Sequence, residues 1–270
     1  MGFEIENGIL TNYIEESDVT EVVIPEEVTA IGDYAFSKIL FGGADLTSVI
    51  IPGSVTSIGR SAFEHCRKLK NITISNGVTN IGDRAFYECE SLTSIVLPDS
   101  VTNIGSCAFW GCEKLESIVI SHGIKSIGER AFCGCESLSS VTIPGGVTSI
   151  NFGVFSGCEI LSNVIISNGV TSIGDYAFYG CSKLTNIAIP DSVTSIGDGS
   201  FSHCSLTSIT IPDSVTSVGQ GLFYGDIQVC LLPSNLVERF YADDWSECEG
   251  NFAIVVTDAE SFFALSFSSN

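Results

Sequence analysis

One feature constrains this chain before any other: the block Val-Thr-x-Ile-Gly, with small variations, recurs along most of its length. Its first residue falls at Val28, Val55, Val78, Val101, Ile124, Val147, Val170, Val193 and Val215, so the spacing is 27, then six times 23, then 22 residues. A phenylalanine follows in every copy, at Phe36, Phe63, Phe86, Phe109, Phe132, Phe155, Phe178, Phe201 and Phe223. Three residues after seven of them stands a cysteine, at Cys66, Cys89, Cys112, Cys135, Cys158, Cys181 and Cys204. Between copies runs Leu-x-x-Ile-x-Ile, as in Leu92-Thr93-Ser94-Ile95-Val96-Leu97. A fixed period of this length marks stacked units, none of which can bury its apolar face alone.

Each part of the period has a physical reading. Leu-x-x-Ile-x-Ile is β-branched and partly alternating, which predicts a short strand with one face turned inward. The Pro that often follows ends it, having no N–H to give a ladder. Val-Thr-x-Ile predicts a second short extended stretch. Gly59, Gly82, Gly105, Gly128, Gly174 and Gly197 then suit a corner that needs either positive φ or close backbone approach. Asn151 replaces that glycine in one copy, and Asn tolerates the left-handed region. Ala-Phe-x-x-Cys is too short for a helix and predicts one helical or 3-10 turn. Stacked about 4.8 Å apart, nine such coils make a right-handed, β-dominated repeat solenoid roughly 40 to 45 Å long, with Ile, Phe and Cys in columns.

The period matched by Leu92 to Glu113 resembles the 23-residue leucine-rich repeat of the BspA-like, Treponema-type family, and the likeness runs from about Phe3 to Trp245. Phe3 to Leu10 resembles the lead-in of such proteins and Leu232 to Tyr241 their closing segment. The resemblance implies a leucine-rich-repeat superhelix and a protein-binding role, commonly adhesion or binding of host and cell-surface proteins.

Both raw ends of a solenoid need covering, because unpaired strand edges invite polymerisation. Residues 1–24 predict an N-terminal cap in which Phe3 to Glu6 and Ile9 to Tyr13 pair about an Asn7-Gly8 turn. Residues 25–226 are the solenoid, with an insertion around Ser37 to Asp45 in which Ile39, Leu40 and Phe41 take the place of the missing cysteine. Residues 227–270 predict a C-terminal cap. There Leu236, Val237, Phe240 and Tyr241 form the apolar face of a short helix behind Ser234, and residues 252–257 and 262–267 form a strand pair.

Charge narrows the partners. The chain carries 11 Lys and Arg against 32 Asp and Glu, a net charge of −21. Nucleic acid is excluded as a partner, since counterion release needs clustered cations, and no apolar run is long enough to insert in a membrane. The acids concentrate at the two caps, where they oppose end-to-end stacking. The opening Met1 to Glu6 lacks the basic lead of a signal peptide. Read as it stands, the chain is cytoplasmic; as a fragment of a longer chain, it is extracellular or on the cell surface.

Chemistry-bearing residues follow the lattice. The seven spaced cysteines read as small buried hydrophobes whose parallel Cβ vectors suit disulfides poorly. Cys107, Cys133, Cys230 and Cys248 share no ligand spacing, so no metal site and no cofactor is expected. Serines sit at repeated positions and form no nucleophile elbow, so no catalytic residue and no enzyme is expected.

What remains is surface. The two residues between Leu and Ile of each strand form polar columns, including Lys70-Asn71, Thr93-Ser94 and Glu116-Ser117, which resemble the concave binding strip of leucine-rich repeats. The position after each Phe places Tyr87 and Trp110 on adjacent coils and Tyr179 further along, as candidate aromatic anchors. Arg60, Arg67, Lys68, Lys70 and Arg84 form a basic island in an acidic molecule, partly neutralised by Glu64 and Asp83. The reading is a non-enzymatic protein–protein interaction scaffold with a protein partner; the alternative is an intracellular assembly module, monomeric or weakly self-associating through the basic island and the acidic ends.

Overall fold

The computed structural model of the chain describes residues 2–15, 19–38, 42–223, 229–232, 252–256 and 264–267. They form a β-solenoid with two ladders of parallel strands running along its length. The first ladder joins the Leu-x-x-Ile-x-Ile segments: Glu21–Val23, Ser48–Ile51, Asn71–Ile74, Ser94–Val96, Ser117–Val119, Ser140–Ile143 and Asn163–Ile166. Register keeps equivalent residues opposite one another, Ile51 against Ile74 and Ser140 against Asn163. Alternate side chains therefore turn inward: Ile72 and Ile74 are buried, Asn71 and Thr73 exposed.

The second ladder is built from two-residue strands in Val-Thr-x-Ile, such as Ser57–Ile58, Asn80–Ile81 and Asn103–Ile104. The threonine of the block bonds along the same direction. The hydroxyls of Thr56, Thr79 and Thr102 donate to the carbonyls of Thr29, Thr56 and Thr79 at 3.0, 3.1 and 3.1 Å.

The third side corrects the sequence reading, because Ala-Phe-x-x-Cys forms a run of turns and no helix exists among the described residues. In a helix every N–H bonds along its own chain. Here the N–H groups of Ser61, Phe63 and His65 donate instead to Asp83, Ala85 and Tyr87 of the next coil, each at 2.8 Å, while Glu64 and Cys66 donate to carbonyls three residues back. This alternation needs a left-handed residue two before the phenylalanine. Ser61, Arg84, Cys107, Arg130 and Tyr176 have φ of 52, 55, 55, 54 and 55° there, and Gly153 and Gly199 have 59 and 55°.

The corner glycines are needed for close approach, not for φ. Gly59, Gly82, Gly105, Gly128, Gly174 and Gly197 are absent from the positive-φ residues. A Cβ on Gly82 would lie 2.7 Å from the carbonyl carbon of Gly59, and one on Gly105 would lie 2.5 Å from Asp83 N. Asn151 likewise has ordinary φ. In other coils the corner glycine's N–H donates to the isoleucine of the coil before, as Gly128 does to Ile104 and Gly174 to Ile150. At Asn151 the side-chain Nδ2 makes that bond, to Ile127 O at 2.7 Å. The strand ladder is interrupted there: one sheet ends at Ser126–Ile127 and another begins at Ser149–Ile150.

The core is a set of columns. The phenylalanines from Phe36 to Phe223 stack face to face at centroid separations from 4.5 to 6.2 Å. Beside them the cysteines do more than fill space. Each thiol donates to the phenylalanine carbonyl of the preceding coil, Cys89 to Phe63, Cys112 to Phe86, Cys135 to Phe109, Cys158 to Phe132 and Cys181 to Phe155, all at 3.2 Å.

At the N-terminal end Gly2–Glu6 and Ile9–Ile14 pair antiparallel about Asn7 and Gly8, whose φ values of 51 and 78° fit a type I′ turn. Ile9 and Leu10 add to the short-strand ladder against Ala30 and Ile31. Tyr13 stacks on Phe36 at 5.1 Å, carrying the aromatic column into this hairpin. In the insertion Ser37–Lys38 pairs with Gly42–Gly43; Ile39, Leu40 and Phe41 lie outside the described residues. At the other end Val229–Leu232 bonds in parallel to Ser208–Thr210 and to Phe252–Val256, which pairs antiparallel with Ala264–Phe267. The helix expected over 236–241 lies outside the described residues.

Candidate functional site

The long-strand ladder holds a nearly continuous exposed face. Lys70, Asn71, Ser94, Glu116 and Ser117 are exposed and Thr93 is half-buried, so the columns expected from the sequence stand at the surface. Beside them runs a row that sequence reasoning missed. Val23, Ile50, Val96, Val119 and Ile165 are 57, 41, 64, 55 and 52% exposed, interleaved with the exposed Thr73 and Thr142. The signal was available: in Leu-x-x-Ile-x-Ile the residue between the two isoleucines faces outward by strict alternation. A rigid sheet that shows a β-branched row flanked by small polar and charged side chains has the make-up of a protein-binding patch, apolar at its centre and polar at its rim.

The ladder stops after Asn163–Ile166 and resumes at Ser208–Thr210. Between the segment at Asn186 to Asp191 and the segment at Ser208 to Ser214 opens a groove of about 780 Å³.

On the turn side, Tyr87 and Trp110 stack at 4.6 Å with 10° between their planes. Both are half-buried. Burial pushes the Tyr87 phenol up from its ordinary pKa, with Glu88 adding to the effect. The structure does not bring Tyr179 to this pair. Cys133 and Ser156 occupy the intervening places in the column, and Tyr179 packs on His203 at 5.0 Å instead.

The basic island is paired differently from the expectation. Lys68 bonds Asp45 at 2.7 Å, and Arg67 bonds both Glu88 and Glu90 at 2.9 Å. The hydrogen bond that Arg67 donates to Glu88 and the charge of Glu90 raise the Arg67 pKa further. Glu88 Oε2 also lies 3.0 Å from His65 Nδ1. Asp45, Glu88 and Glu90 are therefore the main neutralising acids, because they reach the island from neighbouring coils. Arg84 lies 5.5 Å from the centre of the Tyr87 ring. Among the described residues Arg60, Lys70 and Arg84 have no ion-pair partner.

Among the described residues no three His, Cys, Asp or Glu side chains converge to hold a metal ion, and Cys89, Cys107, Cys112, Cys133, Cys135, Cys158, Cys181 and Cys204 form no disulfide. No helix of the described residues is long and apolar enough to cross a membrane. Burial drives the pKa of Cys89, Cys112, Cys135 and Cys158 well above the thiol range, so these sulfurs stay protonated and unreactive.

Comparison with known proteins agrees with this architecture. A family profile described as the BspA type leucine rich repeat region, in 6 copies, matches residues 7–42, 37–161 and 148–248. A leucine-rich repeat protein from Bacteroides ovatus is 34% identical with a TM-score of 0.77, over 87% of this chain and 63% of its own. This chain thus spans less than two thirds of that protein. The leucine-rich repeat protein of Treponema pallidum is 32% identical with a TM-score of 0.61, over 68% of this chain and 87% of its own. The pneumococcal vaccine antigen PcpA shares the fold at 20% identity and a TM-score of 0.50, over 84% of this chain and 67% of its own. No curated protein matches.

Proposed function

This chain belongs to the BspA type leucine-rich-repeat family, and from that premise we propose that it is a non-enzymatic scaffold that binds a protein partner through its long-strand face. The row of Val23, Ile50, Val96, Val119 and Ile165 carries the reading. Exposing five β-branched residues in one line serves association, whereas threonine at the same positions, as at Thr73 and Thr142, would keep the strand and stay soluble. Tyr87 and Trp110 supply a second, smaller anchor on another side of the coil. The repeat gives each coil nearly the same chemistry, which suits a binding surface better than a reaction centre. Adhesion to a host or cell-surface protein is the finer form of the proposal and follows from the family resemblance. Self-association through the basic island draws less support, since Arg67 and Lys68 already bond acids of their own molecule.

The test replaces Val96 and Val119 together by Lys, with Asp99→Lys as a charge control at an exposed turn, and scores partners captured by cross-linking in each background. The face variant is expected to lose partners that the control and the native chain retain. A partner captured equally by all three would remove the strand face from consideration, and equal capture by the Tyr87→Ala/Trp110→Ala pair would remove the aromatic anchor.

A further inference from the structure

One coil breaks the repeat at several neighbouring positions. Where six other coils read Gly-x-x-Ala-Phe, and two read Gly-x-x-Ser-Phe and Gly-x-x-Leu-Phe, this one reads Asn151-Phe152-Gly153-Val154-Phe155. The position of Phe152 is held in four coils by Asp33, Asp83, Asp175 and Asp198, whose carboxylates each accept the N–H of the equivalent residue in the next coil, at 2.8, 2.7, 2.8 and 2.7 Å, and in the other four by the polar Arg60, Ser106, Glu129 and Gln220. Phe152 cannot accept that bond from Asp175, and it leaves a large ring only half-buried. A repeat that forgoes a stabilising hydrogen bond to set an aromatic ring at its surface marks a place where local stability has yielded to another demand.

A notch of about 270 Å³ lies at this coil, lined by Arg130, Cys133, Phe152, Gly153, Ser156, Tyr176 and Tyr179. Its floor is open because Gly153 and Ser156 stand where the coils above and below carry Arg130 with Cys133 and Tyr176 with Tyr179. Tyr176 leans toward Gly199, where an added Cβ would come within 2.7 Å of the ring, and so away from Gly153. Phe152 and Tyr176 meet edge to face at 5.6 Å, and Tyr176 and Tyr179 at 5.8 Å. The Arg130 guanidinium lies 4.6 Å from the centre of the Phe152 ring. Stacking uses the face of a guanidinium and leaves its N–H edges free for a planar acceptor. Among the described residues Arg130 has no ion-pair partner.

We propose that this notch is a binding site for a peptide group that joins an aromatic ring to a carboxylate, as a C-terminal aromatic residue does. The ring would rest over Gly153 and Ser156 against Phe152, Tyr176 and Tyr179, and the carboxylate would take the Arg130 fork. The volume falls just under the roughly 300 to 1,000 Å³ of sites for whole small molecules, which suits one side chain of a partner. The inference deepens the scaffold reading by naming the chemistry of one anchor, and it sits on a side of the coil away from Val96 and Val119, so either can fail alone.

The test titrates N-acetylphenylalanine into the isotope-labelled chain and follows backbone amide shifts. Saturable shifts are expected at Gly153, Ser156 and Tyr179, with binding about tenfold weaker for N-acetylphenylalanine amide, the worth of a charge-assisted hydrogen bond. Arg130→Gln should bring acid and amide to the same affinity. Ser156→Tyr fills the notch with a residue that Tyr87 and Tyr179 show the column accepts, and it should abolish binding. Phe152→Asp should abolish binding while keeping or raising the denaturation midpoint, by restoring the bond to Asp175 N–H. Equal binding of acid and amide to the native chain would overturn the role of Arg130. Native-like binding by Ser156→Tyr and Phe152→Asp, or saturation of the same amides by glucuronate and not by N-acetylphenylalanine, would overturn the site as a peptide anchor.

Discussion

Gly105 and Gly174 occupy the same corner of the repeat, and the structure separates what they should tolerate. A Cβ at Gly105 would lie 2.5 Å from Asp83 N and 2.6 Å from both Asp83 Oδ1 and Gly82 C, mostly backbone atoms of the coil below. At Gly174 the coil below carries Asn151 in place of the corner glycine, and the same Cβ would meet Ile150 O at 2.9 Å, Asn151 C at 3.0 Å and Phe152 N at 3.1 Å. Overpacking a rigid contact costs about 1 to 3 kcal/mol, while alanine narrows the unfolded ensemble and returns about 0.4 to 1 kcal/mol. Gly105→Ala should therefore lose roughly 2 kcal/mol net, and Gly174→Ala should fall within about 1 kcal/mol of neutral. Asn151 shows what relief looks like, with one ladder interrupted and a side chain standing in for the missing N–H donor. Guanidinium denaturation of both variants with a common slope measures the difference. If the two cost the same, the corner is governed by something the glycines share, such as φ, and the close-approach argument is wrong.

Other outcomes follow from the columns. Phe109 is fully buried and stacked between Phe86 at 5.2 Å and Phe132 at 5.3 Å, so Phe109→Ala should cost about 3 to 5 kcal/mol and split unfolding into two transitions; Phe223→Ala, at the looser end of the column, should cost less and keep one. A single transition of equal cost for both would deny nearest-neighbour stacking. The buried thiols make stability depend on alkali. Their folded pKa values are raised by burial, so stability is whole below the ordinary thiol pKa and falls above it, where the unfolded chain releases protons that the folded chain keeps. Each thiol contributes up to about 1.4 kcal/mol per pH unit, and replacing Cys112 and Cys158 by Ala should flatten the decline in denaturation midpoint between pH 9 and 10. An unchanged slope would mean that these thiols ionise in place.

How much could be read from residues alone depends on whether a neighbour one coil away decides the matter. Val101, Ile104, Phe109 and Cys112 were legible because each meets its own copy above and below, so the period fixes its burial. The left-handed conformation at Arg84, Cys107, Arg130 and Tyr176 was hidden, since none of these residues favours it; two crossing hydrogen-bond directions impose it from outside. The helical turn was misjudged for the same reason. At the candidate surfaces the adjacency of Tyr87 and Trp110 came from simple counting. The pairing of Arg67 with Glu88 and Glu90 did not, because long side chains choose among coils. Asn151 stood out in the sequence, yet the notch beside it depends on Gly153 and Ser156 falling between larger neighbours, which only the stacked arrangement reveals.

Nearly every bond that closes one coil upon the next spans 21 to 27 residues, as from Lys70 to Thr47, Gly128 to Ile104 and Cys112 to Phe86. A force applied at the two ends would strip the outermost coil while the remainder kept its footing. Each detachment would pay out about 75 Å of slack at a load set by a single interface, so the chain would yield in steps as a tether does, dissipating tension without losing its remaining grip.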